Sequence, residues 1–131
     1  MSQYFSLEEA TAALEQVRPL AERMVELRRE LVSQQRRQSQ LASTVAGNGH
    51  GNAAREYADI TARLEAQAAE LVECIDGIQS LGAKVKDLDT GLVDFPSLRG
   101  GQEALLCWQV GEPEIAFWHG PEDGFAGRRP L

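Results

Sequence analysis

The sequence predicts an α+β fold: a long, coiled-coil-like antiparallel helical hairpin followed by a small antiparallel β-sheet. Three observations carry that prediction. Apolar residues recur every three or four positions from Leu7 to Leu81, which lays a stripe along one face of a helix. The cluster "AGNGHGN" interrupts this pattern once, and clustered Gly and Asn favour a turn. After Gly82 the period changes to short aromatic and β-prone runs, "EALLCWQV" and "EIAFWH", which read as strands. The expected organisation is one domain over 1–131, with the hairpin at 6–81 and a β subdomain with a loop tail at 83–131.

The first helix start is written into "FSLEEA". Ser6 suits the N-cap, Glu9 stands three residues on to complete a capping box, and Glu8 and Glu9 favour the positive helix end. The stripe then runs Leu7, Ala10, Leu14, Val17, Leu20, Met24, Leu27, Leu31. Pro19 lacks an N–H and crowds the preceding turn, so a kink near 15–19 fits, as does a short helix followed by a new one. In "SQQRRQSQ" the seam weakens before Leu41 and Val45 resume it. Asn52 can cap a second helix striped by Tyr57, Ile60, Leu64, Ala68, Leu71, Ile75, Ile78 and Leu81, with Gly82 at a left-handed C-cap. The two helices, about 37 and about 29 residues, would reach roughly 55 and 43 Å.

"EALLCWQV" and "EIAFWH" read as a hairpin around the loop "GEPE", and "GLVDFP" as a third strand ending at Pro96. Leu106, Trp108 and Val110 share one face by alternation, and Ile115, Phe117 and His119 share one face of the partner strand. "GPEDGFAGRRPL" is read as loop. So small a sheet must cover a helix face or join a second subunit.

A chain of 131 residues with a net charge of −7 gives no positive field for nucleic acid or anionic membranes. It has no apolar run long enough to span a bilayer. The opening "MSQYFSLEEA" lacks the basic and apolar regions of a signal peptide, so the cytoplasm is the expected compartment. There, Cys74 and Cys107 are most simply buried thiols.

"DLDTGLVDF" (87–95) holds an Asp-Thr-Gly triplet of the kind found in aspartic proteases. That chemistry needs two carboxylates about 3 Å apart sharing a proton. One triplet per chain would require a homodimer of a mostly β protein, whereas this chain reads as mostly helical. The triplet reads better as a turn, with Asp89 accepting backbone bonds and Gly91 supplying positive φ. Asp87, Asp89 and Asp94 nevertheless cluster within one short stretch, and His119 closes a strand just before Glu122 and Asp123. Such ligand types suit a divalent metal. The candidate metal residues are Asp87, Asp89, His119 and Glu122, centred on Asp89 and His119. Arg99, Arg128 and Arg129 are candidates to hold an anion or to lock the tail by salt bridges. The basic doublets Arg28–Arg29 and Arg36–Arg37 have acids nearby and read as a solvated face. His50 reads as a loop residue, and Trp108 and Trp118 as core.

Taken together, "VKDLDTGLVDFPS", "LLCWQVGE", "FWH" and "GFAGRRPL" resemble the prokaryotic Domain of Unknown Function 2203 family, as does the "FSLEEA" opening with its long helices. The resemblance covers essentially the whole chain and implies the architecture without an activity. That family's pattern often has an acid directly after the Trp-His pair. Here Gly120 stands in that place, with Glu122 and Asp123 close behind.

Two function classes follow. One is an interaction or scaffold module that forms a homodimer or holds a protein partner through its hairpin, with Leu20, Leu27, Leu64 and Leu71 as candidate seam residues. This is the favoured class, since helices with one broad stripe usually need more than one neighbour. The other is a metal- or small-anion-binding domain, possibly an enzyme, sited among the aspartates, His119 and the terminal arginines.

Overall fold

The computed structural model describes residues 3–47 and 51–131. The middle of the turn expected at "AGNGHGN", with His50, lies outside the described residues. Helix α1 runs Leu7–Gly47 and α2 runs Ala53–Ser80. Five strands follow: β1 Lys84–Asp87, β2 Leu92–Arg99, β3 Gln102–Gln109, β4 Phe117–His119 and β5 Arg129–Pro130. This is the predicted α+β arrangement, a helical hairpin and then an antiparallel sheet.

The capping box closes as the sequence predicts: Glu9 N–H donates to Ser6 Oγ at 3.0 Å and Ser6 N–H to Glu9 Oε1 at 2.9 Å. Helix α1 stays continuous through Pro19. At Asn52 the cap comes from the backbone, whose carbonyl accepts from Glu56 N–H at 2.8 Å, and the side chain makes no capping bond. The helices bury facing stripes and are cross-linked by Arg23–Glu70, Gln67–Glu30, Arg37–Glu56 and Gln38–Thr61. Leu27, Leu64 and Leu71 are buried in this intrachain core, and Leu20 is packed against it. All four candidate seam residues therefore already contribute to packing within the chain.

The sheet is ordered β1-β2-β3-β4-β5, each neighbour antiparallel. Its register is set by the Gly100–Gly101 turn, whose φ values of 55° and 81° suit a two-residue hairpin that twists with its strands. From there β2 and β3 pair without a break from Arg99↔Gln102 to Leu92↔Gln109. Strand β2 thus runs through Pro96 instead of ending there. The Pro96 carbonyl turns away from β3 and accepts from Phe5 N–H at 2.7 Å. The position of its missing N–H therefore faces the Phe5 segment past the end of β1, where a proline costs no ladder bond.

Alternation gives the sheet two faces. Val93, Phe95, Leu106 and Trp108 point into the shared core with the helices. Asp94, Cys107, Phe117 and His119 lie on the opposite face. Strand β4 is shorter than expected, and the β3–β4 connection runs from Val110 to Ala116, beyond "GEPE". Glu112 organises it. Its carbonyl accepts from Trp108 Nε1 at 3.0 Å and Arg18 at 3.1 Å, and its carboxylate accepts from Gln109 N–H at 2.8 Å. The tail is more ordered than a loop: it makes a 3-10 turn at Phe125–Gly127 and then the fifth strand.

Candidate metal centre

The polar face of the sheet holds three buried residues of metal-ligand type. Asp94 on β2 stands directly opposite Cys107 on β3. His119 on β4 pairs with Leu105, two residues from Cys107 and on the same face. Their carboxylate, thiol and imidazole ligand atoms all lie within 4.8 Å of one another. Asp94 is 1% exposed, Cys107 0% and His119 3%. Among the described residues no other set of three His, Cys, Asp or Glu ligands converges this way.

The hydrogen bonds impose a charge requirement. His119 Nδ1 lies 2.8 Å from the Gly120 carbonyl oxygen. A carbonyl only accepts, so Nδ1 carries the hydrogen. Nε2 then faces both Asp94 oxygens at 3.1 Å each. A bare nitrogen against a carboxylate would set lone pairs against lone pairs in a site with almost no water. A positive species must stand between them: a proton, on the ring or the carboxyl, or a metal cation. Buried charges are paired or bound to metal, and a backbone carbonyl that fixes the far nitrogen is the usual support of a metal-ligating histidine.

Burial, first, and the neighbouring Asp94 carboxylate, second, push the Cys107 thiol up to about 12. Without a cation it stays a thiol; a coordinated metal would deprotonate it. One oxygen, one sulfur and one nitrogen ligand suit a borderline-soft divalent ion such as zinc. Bonds of about 2.0–2.3 Å in a tetrahedron set ligand atoms roughly 3.3–3.8 Å apart; here His119 Nε2 lies 3.1 Å from each Asp94 oxygen, and the thiol completes the set within 4.8 Å. Three protein ligands leave a fourth position open.

The tail closes over this face. Arg128 donates to both Glu112 oxygens at 2.7 and 2.8 Å and to the Cys107 carbonyl at 3.3 Å. Its guanidinium also lies over the Phe117 and Phe125 rings at 4.1 and 4.7 Å. Gly120 has room made for it by its lack of a side chain: a Cβ there would come within 2.9 Å of Asp123 Oδ2. The Asp123 carboxylate thus occupies the space a side chain after the Trp-His pair would fill. It lines a cavity of about 130 Å³ together with Asp94, His119 and Lys86.

The other sequence candidates are distributed elsewhere. Asp87 holds the β1–β2 turn, accepting from Asp89 N–H at 3.1 Å and Thr90 Oγ1 at 2.9 Å. Asp89 pairs with Arg28 of α1 at 3.1 Å, so the Asp-Thr-Gly triplet is a turn seated against the helix. Glu122 is exposed on the tail. Asp87, Asp89 and Glu122 do not converge on His119; Asp94 and Cys107 do. Arg99 and Arg129 lie over Trp118 at 4.3 and 5.3 Å, and Arg128 is occupied by Glu112. Cys107 escaped the sequence reading because its partner depends on register. Reading "RGGQ" as a two-residue turn would have set it opposite Asp94.

No helix among the described residues is long and apolar enough to cross a membrane. No curated protein and no solved structure matches the chain. A family model described as "Uncharacterized conserved protein" matches residues 3–131. That span is nearly the whole chain, and the protein belongs to the DUF2203 family.

Proposed function

We propose that the protein is a metal-binding domain whose ion is held by Asp94, Cys107 and His119. The observation that carries this reading is the geometry of His119: Nδ1 is committed to the Gly120 carbonyl, and Nε2 is aimed between two buried carboxylate oxygens beside a buried thiol. The sheet supplies rigid positions for all three, and the helical hairpin provides the core that the sheet could not bury alone.

A metal bound only by the folded state raises stability by linkage, about 4 kcal/mol at a thousandfold excess over Kd. For a chain of this size that is a rise in Tm on the order of 15 °C. Elemental analysis of untagged protein should find one transition metal per chain, and Zn²⁺ or Co²⁺ added to stripped protein should raise the melt. Asp94→Asn and Cys107→Ser should abolish the rise, whereas Asp89→Asn should keep it. A stripped protein whose melt ignores Zn²⁺, Co²⁺, Mn²⁺ and Mg²⁺, and which carries no metal as purified, would refute the reading. The three residues would then be a hydrogen-bonded cluster of structural value only.

The interaction reading has its own support. Val32, Tyr57 and Val72 remain 38%, 37% and 55% exposed on the helices, an outer surface a homodimer or protein partner could cover. The native mass of the same sample tests the dimer.

A further inference from the structure

The triad does not end in a closed pocket. The cavity beside Asp94 and His119 adjoins a second one of about 150 Å³, and the two share Lys86, Leu105 and Pro121 as lining. Lys84 and Lys86 both stand on this groove and are exposed, and neither has an ion pair among the described residues. Two free cations side by side are notable in a chain of net charge −7. Of the acids that face the groove, Glu103 accepts a hydrogen bond from the Tyr4 hydroxyl, Asp94 faces His119, and Asp123 lies at the triad end. The register of β1 on β2 shifts between Val85 and Asp87, and such irregularities are common near sites.

We infer that this groove takes a small molecule carrying a carboxylate or phosphate group, whose oxyanion lies between Lys86 and the open position of the metal. The inference rests on the metal-binding reading above. A divalent ion held by a carboxylate, a thiolate and a neutral imidazole has no net charge left over, and Lys84 and Lys86 balance Glu103 and Asp123 over the whole groove. An oxyanion is favoured locally, where Lys86, which has no ion pair among the described residues, stands beside the triad. Lys84, farther along the groove, meets a second polar group of a longer ligand. The arginines proposed from sequence are not needed for this, since they are held on Glu112 and Trp118.

The test uses full-length protein loaded with Co²⁺, whose visible spectrum reports the ligands of the ion. Inorganic phosphate and succinate are titrated separately, which distinguishes a phosphate from a carboxylate preference. One of them should shift the cobalt bands saturably. Lys86→Met should weaken that binding roughly tenfold or more, the loss of one charge-assisted hydrogen bond, with cobalt still bound. A cobalt spectrum that forms but is unmoved by either anion overturns the inference and leaves the metal site standing. So does a Lys86→Met protein that binds the anion as wild type does. Failure of Co²⁺ to bind overturns both.

Discussion

Gly91, the third residue of the Asp-Thr-Gly triplet, is where one methyl group tests how the sheet is seated on the helices. Its φ is 70°, and a Cβ added there would lie 2.4 Å from Val110 Cγ2 and 2.8 Å from Val25 Cγ2. Ordinary carbon–carbon contact is about 3.5–4.0 Å, so the methyl overlaps Val110, just past β3, and Val25 of α1 together by about 1 Å. The left-handed backbone costs an alanine about 1–2 kcal/mol, and forcing an extra carbon into a packed site about 1–3 kcal/mol. Gly91→Ala should therefore destabilise by about 2–5 kcal/mol. At about 2.1 cal/mol/K per residue, a chain of 131 residues loses roughly 7–18 °C in Tm. Thermal unfolding followed by helical ellipticity measures it. Adding Val110→Ala removes the nearer clash, so the double variant should lose less than the two single losses together. A Gly91→Ala protein that melts within a few degrees of wild type would refute the account: the turn would not be lodged between Val25 and Val110.

Four further outcomes follow from the helices. Ser6→Ala should cost about 1 kcal/mol as a lost N-cap. The Glu9 carboxyl is held below its ordinary 4.5, chiefly by the Ser6 backbone N–H and then by its side chain. Its contribution is present above that value and lost as pH falls through the depressed one, so Glu9→Gln should flatten the acid limb of a stability-versus-pH curve. Leu27→Ala, at a site 0% exposed, should cost about 3–5 kcal/mol in denaturant titration. Val72→Ala, at a site 55% exposed, should stay within about 0.5 kcal/mol. Equal effects at the two sites would mean that the helical stripe is assigned to the wrong side.

Features that depend only on neighbours along the chain are legible in the residues alone. Ser6 and Glu9 cap α1 because a capping box needs only four consecutive residues. The apolar stripe makes helices because its period is that of the helix, and the change near Gly82 marks where helix gives way to sheet. The triplet could be read as a turn because Gly91 can take positive φ. Local chemistry also led to His119 as a residue to watch, since an imidazole at a strand end is unusual enough to ask what it meets.

What it meets is a matter of register, and register was decided by the tertiary structure. The Gly100–Gly101 turn sets Asp94 against Cys107, and β4 then brings His119 alongside. Shifting that turn by one residue would send the side chains of one strand to the other face. Asp87 and Asp89 are nearer to Asp94 in sequence than Cys107 is, yet the β1–β2 turn carries Asp89 to Arg28 and leaves Asp87 capping the turn. Arg128 offers the same lesson. As a residue type it suits an anion, but in the fold it meets Glu112 and two aromatic rings. Proximity along the chain could identify groups capable of binding, but only the pairing of distant strands selects which of them share a dry, three-sided space. There the cost of an unpaired charge is highest, and that cost is what the metal-binding proposal for Asp94, Cys107 and His119 rests on.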